Sequence, residues 1–207
     1  MKRFVQFLGA ATLLLSFTQC SEDATTDSAP SVQGSVKLTA SINETRTELS
    51  GNDVLWKSND CLGLFCGTKF VNAPFTTTAG GTTSADFTGD PTDPSGSEAE
   101  VFYAYYPYSA HAVLEGSVVS GLSIPAVQTF ATKSFATELC PMATSGADYS
   151  RLAFRTIGTV LKFQVTGQKN VTKIELTGNN GEALAGDYTI DFVGETPEMK
   201  FSGTETT

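Results

Sequence analysis

Val101-Phe102-Tyr103-Ala104-Tyr105-Tyr106-Pro107-Tyr108 holds four of the chain's six tyrosines, with a phenylalanine beside them. Successive side chains of a strand point to opposite faces, and here both faces are apolar or aromatic. Such a strand is covered on both sides, so the stretch reads as the centre of a layered β structure rather than a half-wet edge. Pro107 has no N–H to give to a ladder, and the strand should end there. Two roles stay open for the rings: the core of a sandwich, or an aromatic platform on which a carbohydrate stacks.

Composition supports strands around this centre. The 207 residues allow one or two domains, and 40% of them are hydrophobic, enough for a core. Thr, Ser and Gly are abundant, which favours strands and turns over helices. The net charge of −9 becomes more negative still if Lys2 and Arg3 are removed with a leader. A chain this acidic is repelled by phosphate backbones, so nucleic acid is not expected as a partner.

The N-terminus reads as a targeting segment over residues 1–19. Lys2 and Arg3 form a positive start, and Phe4 to Phe17 is apolar except for Gln6, Gly9, Thr12 and Ser16. It is too short to cross a bilayer comfortably. Cys20 follows, then the polar, acidic Ser21-Glu22-Asp23-Ala24-Thr25-Thr26-Asp27. This layout resembles a bacterial lipoprotein signal with Cys20 as the acylated residue, and the acidic run resembles the surface-export signal of Bacteroidetes lipoproteins. Phe17 and Gln19 depart from that pattern, and an ordinary cleaved signal peptide is the alternative. Several acyl chains, palmitate among them, would anchor the protein stably in the outer membrane, where one chain binds only marginally. Of the other cysteines, Cys61 and Cys66 are five apart in an apparent strand, so they face opposite ways and should not bridge. These two and Cys140 are expected as small buried hydrophobes. His111 has no partner at zinc-ligand spacing, and neither a metal nor a cofactor is expected.

Residues 20–34 read as a solvated tether. In Ser35 to Asn43, Val36, Leu38, Ala40 and Ile42 alternate strictly with polar residues, predicting a strand with one buried face. The polar Asn43 to Glu48 follows, with Arg46 its only basic residue. Ser58-Asn59-Asp60 is turn chemistry, and Cys61 to Cys66 is a short apolar strand in which Gly63 marks a bulge or a close backbone approach. Phe75 to Phe87 predicts a hairpin about Ala79-Gly80-Gly81. The Asp90–Ser97 loop reads as a solvated turn, lacking the spacing of a calcium loop. Val118 to Ile124 continues the β pattern, and residues 126–150 are expected to be irregular. Alternation resumes at Leu161/Phe163/Val165, Ile174/Leu176 and Tyr188/Ile190/Phe192, with a tight turn at Gly178-Asn179-Asn180-Gly181. The fold class is all-β.

No catalytic constellation emerges. There is no Gly-x-Ser-x-Gly, the lone His111 lies between alanines, no Gly-Lys-Ser/Thr follows Gly178–Gly181, and the carboxylates are scattered over turns. An enzyme is not expected.

The order of segments resembles the Bacteroidales fimbrillin-type lipoproteins, subunits of type V pili. The features that carry it are the lipoprotein signal, Thr45-Arg46-Thr47, Trp56…Asn59-Asp60-Cys61-Leu62-Gly63-Leu64-Phe65, the aromatic run 102–108, Ile124-Pro125-Ala126-Val127-Gln128, Pro141-Met142-Ala143, and the 152–186 region with Leu184-Ala185-Gly186. Asn59, where that family's motif has glycine, and Cys61 are departures. The resemblance implies a transthyretin-like β-sandwich N-terminal domain over 35–147, followed by a second β domain over 148–207. That second domain is incomplete, about 55 residues being too few for a sandwich. It further implies a surface-exposed, lipid-anchored subunit of a fimbria. An Arg-specific protease would cut between Arg46 and Thr47, and a strand of another subunit would replace 36–42, supporting adhesion to a host or glycan ligand. Two alternatives stand beside it: 36–42 as a permanent first strand with Arg46 a solvated turn residue, and the whole chain as a monomeric, surface-anchored lipoprotein that binds a glycan or a protein.

Overall fold

The structure, a computed structural model, describes residues 34–43, 54–128, 140–159, 161, 163, 165–167 and 170–203. All of these fall in one compact unit, Gln33–Thr207. The described residues form eleven strands and no helix. The first five are β1 (Val36–Ile42), β2 (Cys61–Cys66), β3 (Phe70–Thr76), β4 (Ser84–Gly89) and β5 (Phe102–Tyr106). Then come β6 (Val113–Glu115), β7 (Val118–Ile124), β8 (Met142–Gly146), β9 (Arg151–Thr156), β10 (Gly186–Asp191) and β11 (Glu198–Phe201).

Seven strands close into a barrel in the order β1-β4-β3-β2-β5-β8-β9, and a second sheet runs β11-β10-β7-β6. The aromatic strand β5 explains why both layers exist. It lies between β2 and β8. Phe102, Ala104 and Tyr106 enter the barrel core with Leu38, Leu64, Phe75, Phe87 and Phe154. Tyr105 faces the other way, joining Phe65, Val119, Leu122, Tyr188 and Ile190 between the barrel wall and the second sheet. Alternation of side chains thus sends one strand into two cores. β5 ends at Tyr106, before Pro107.

Gly63 is where these layers touch most closely. A Cβ placed on it would lie 2.2 Å from Cε1 of Tyr105. That ring cannot yield, because its hydroxyl belongs to a closed set of hydrogen bonds. Tyr105 Oη donates to Asn72 Oδ1 (2.7 Å), Asn72 Nδ2 donates to the Ser109 carbonyl (2.9 Å), and the Ser109 N–H donates to Tyr105 Oη (3.2 Å). Burial pushes the ionisation of Tyr105 well above the usual tyrosine range.

Several expectations need correction. Residues 142–146 are not irregular: Met142–Gly146 is β8, paired with β5 from Tyr106↔Met142 to Phe102↔Gly146. Its sequence has no apolar alternation. It is a strand because β5 presents an edge, and Met142, Ala143 and Thr144 are buried there. The strands expected at 161–165 and 173–176 are not present among the described residues, and neither is a hairpin at 178–181. Leu161, Phe163, Val165, Ile174 and Leu176 stay about half exposed, since no described strand pairs with them and alternation alone satisfies no backbone group. The hairpin about Ala79–Gly81 is wider than expected. β3 and β4 share only the pair Thr76↔Thr88, and Trp56 bridges to Thr82 in the space between the arms.

Candidate functional site

β1 is the strand that closes the barrel, and it does so between two strands of opposite sense. It is antiparallel to β4, from Val36↔Gly89 to Ser41↔Ser84, and parallel to β9, from Thr39↔Arg151 to Ile42↔Phe154. On the β9 side, Thr39 N–H donates to the Ser150 carbonyl (2.9 Å) and Asn43 N–H to the Phe154 carbonyl (2.8 Å). On the β4 side, Ile42 N–H donates to the Thr83 carbonyl (2.9 Å). Leu38, Ala40 and Ile42 face inward and are buried, with Val36 packed against the same core. The polar face carries Lys37, whose ammonium is 2.7 Å from Asp86 of β4, and Thr39, whose hydroxyl donates to Asp86 (2.9 Å). Hydrogen bonds from Lys37 and Thr39 hold the Asp86 carboxyl below the ordinary carboxylate range. Both members of the ion pair are exposed, so it fixes register more than it stabilises.

Beneath β1 stands Trp56, the only tryptophan of the chain and 1% exposed. Its indole N–H donates to the Ala40 carbonyl at 3.0 Å. Phe87, Tyr106 and Phe154 surround the indole edge-on, with centroids at 5.0, 5.2 and 5.7 Å. Its backbone is clamped as well, Trp56 N–H donating to the Thr82 carbonyl (2.9 Å) and Gly81 N–H to the Trp56 carbonyl (2.8 Å). The turn that follows is held by Asp60, a buried carboxylate with both oxygens satisfied. Oδ2 accepts from the Lys57 N–H (2.7 Å) and Oδ1 from the Tyr106 hydroxyl (2.9 Å). Asn59 sits in this turn at φ 70°, a conformation that glycine adopts freely and asparagine better than most residues. The site is therefore a slot: two ladder edges, a largely aromatic floor and one indole under its middle.

An open depression of about 550 Å³ lies over the polar face, lined by Lys37, Thr39, Thr76, Thr78, Ser84 and Asp86 among others. The rings of β5 form no exposed platform: Phe102, Tyr105 and Tyr106 are buried and Tyr103 is half-buried. Cys61, Cys66 and Cys140 are free thiols; Cys66 and Cys140 are buried, whereas Cys61, expected to be buried as well, is half-buried. Burial raises the pKa of Cys61 and of Cys66, which keeps both protonated and weakly nucleophilic near neutrality. Among the described residues no group of three His, Cys, Asp or Glu side chains is placed to hold a metal ion. Asp93 accepts from the N–H and the hydroxyl of Ser95 (2.9 and 2.7 Å), a turn contact. His111 is exposed, in the turn before β6.

Cys20, Arg46 and Thr47 lie outside the described residues. The segment containing Arg46 and Thr47 joins two described parts of the slot, β1 and Trp56. Sequence reading found β1 but not what the slot is made of. The pairing of β9 with β1 leaves only the Leu152/Phe154 alternation as a signal, and the bond between Trp56 and Ala40 leaves none. No protein family, curated protein or solved structure compared with this chain matches it.

Proposed function

We propose that the chain is a structural or accessory subunit of a cell-surface fimbria, exported as a lipoprotein through Cys20 and assembled by strand exchange at the β1 slot. The observation that carries this reading is the position of β1. It is the first strand among the described residues, it closes the barrel, and it is followed in sequence by the segment with Arg46, where a cut would free it. In this reading the thin β3–β4 and β8–β9 seams are the corners of a transthyretin-like sandwich.

Losing β1 would uncover four inward apolar side chains, roughly 6–8 kcal/mol of burial at about 25 cal/mol per Å². It would also leave β4 and β9 as unpaired edges, and such edges recruit strands. That loss is comparable with the ~5–15 kcal/mol that holds a whole domain folded, so the emptied slot demands a replacement. A strand from another subunit supplies it by β-augmentation. The acyl anchor at Cys20 holds the unprocessed chain on the outer membrane, and the assembled fimbria then supports adhesion.

The test is Arg-specific proteolysis of the full chain under native conditions, followed by size-exclusion chromatography and electron microscopy. One cut after Arg46 should give a product that multimerises or takes up a 36–42 peptide, and Arg46→Ala should abolish both. Resistance of the native chain at Arg46, or a cut product that aggregates and ignores the peptide, refutes the proposal.

A further inference from the structure

We infer that Trp56 sets the size of the side chain the slot accepts at its centre, so that an occupant must read large, any, small, any, large. The register places Leu38 opposite Phe87 and Ile42 opposite Phe154, while Ala40 lies opposite Ala85 and Leu152. The indole packs against both Phe87 and Phe154, so it lies beneath the middle of β1, and its hydrogen bond to the Ala40 carbonyl fixes it there. Ala40 is fully buried in this position. Trp56 cannot back away, because its own backbone is held by Thr82 and Gly81 and Tyr106 closes a third side of the ring. A larger residue at the centre must displace the indole or lift the strand out of two ladders, and close-packed interiors tolerate neither well.

This rule excludes other segments of the same chain. Leu161, Phe163 and Val165 alternate as β1 does and are about half exposed, yet they would set a phenylalanine over the indole. Tyr188, Ile190 and Phe192 would set an isoleucine there. Neither of these two segments therefore fits the slot, in a second copy or in its own, whereas Phe102-x-Ala104-x-Tyr106 of β5 meets the rule but is already committed to the barrel core.

Where it concerns an incoming strand, the inference rests on the exchange reading; where it concerns the chain's own β1, it does not. The experiment therefore has two arms. In the first, Ala40→Leu, Trp56→Ala and the double variant of the full chain are compared by urea unfolding. Each single change should lower the midpoint, and the double should lie well above the sum of the two losses, because the leucine enters the space the indole leaves. Strictly additive losses overturn the inference. In the second arm, full chain nicked after Arg46, with both fragments present, is titrated with the 36–42 peptide and with the same peptide carrying Ala40→Leu. Each peptide carries an acceptor dye that quenches the sole tryptophan, so a change in emission reports entry of the added peptide in place of the unlabelled resident strand. The substituted peptide should bind about tenfold or more weakly, the scale on which a shaped apolar site discriminates by side-chain length. Equal binding of both peptides overturns the size rule. If neither peptide changes the emission while the first arm shows coupling, the exchange reading fails and the rule stands for β1 alone.

Discussion

Replacing Tyr105 by phenylalanine removes one oxygen atom and leaves the ring in place, which isolates the hydrogen-bonded set that joins β5, β3 and the turn after Tyr108. The hydroxyl has one proton, and three contacts surround it: Asn72 Oδ1 at 2.7 Å, the Ser109 carbonyl at 3.0 Å and the Ser109 N–H at 3.2 Å. The Ser109 carbonyl already receives Asn72 Nδ2, so the proton goes to Asn72 Oδ1. Tyr105→Phe thus deletes one donated and one accepted bond and leaves a carbonyl oxygen and an N–H short of a partner at a part-buried site. A cost of about 1–3 kcal/mol follows. Tyr105→Ala also empties the space between Phe65 and Gly63 and should cost roughly 3–5 kcal/mol. Urea unfolding monitored by circular dichroism gives both values, with an unchanged slope as the check that the unfolded state is the same. In a cycle with Asn72→Ala, the two changes should couple rather than add. If Tyr105→Phe unfolds within about 0.5 kcal/mol of the parent, the range of neutral surface changes, the closed set contributes nothing to stability and does not hold the Tyr105 ring.

Three further outcomes are expected. Gly63→Ala forces a methyl group against a ring that cannot move and should destabilise by about 1–3 kcal/mol; a neutral result would show that the Tyr105 ring is mobile. Leu38→Ala, on the inward face of β1, should cost about 2–5 kcal/mol in thermal or urea unfolding, while Thr39→Ala on the outward face should cost far less; equal losses would contradict the one-sided burial of the strand. Burial pushes Tyr188 up to about 12, and burial together with the Glu98 carboxylate does the same for Tyr149, from an unfolded value of 10.0. Both favour the protonated form when folded, so their contribution is complete below pH 10 and is lost as pH rises toward about 12. The unfolding midpoint should fall over that window, tyrosinate absorbance should rise with it, and Tyr188→Phe should weaken the dependence.

How far the fold could be read in advance depended on what each strand needs from elsewhere. The patterns of β1 and β5 are local: strict alternation in 36–42 and apolar residues on both faces in 102–106 state burial without reference to any partner. β8 is the opposite case, since Met-Ala-Thr-Ser-Gly becomes a strand only because β5 offers an edge. β9 carries an alternation, Leu152 and Phe154 inward with Arg151 and Ala153 outward, but nothing local says that it runs parallel to a strand far back in the chain. At 161–176 the pattern is present and no described edge meets it, so alternation overstated the strand content. Trp56 was visible as a lone indole ahead of an apolar strand, whereas its bond to Ala40 exists only after the intervening segment has brought the two together.

The parallel pairing of β1 with β9 also governs the order of events as the chain is made. Ser41 and the Leu152 carbonyl that it bonds are 111 residues apart. β1, the earliest of the described strands in the chain, therefore cannot be seated on both sides until nearly all of the barrel has followed it. Contacts of such long sequence separation form late, because the closure of the intervening loop must come first. Until then the barrel persists as an open sheet whose β1 and β9 edges are unpaired, the state most exposed to mispairing with other chains.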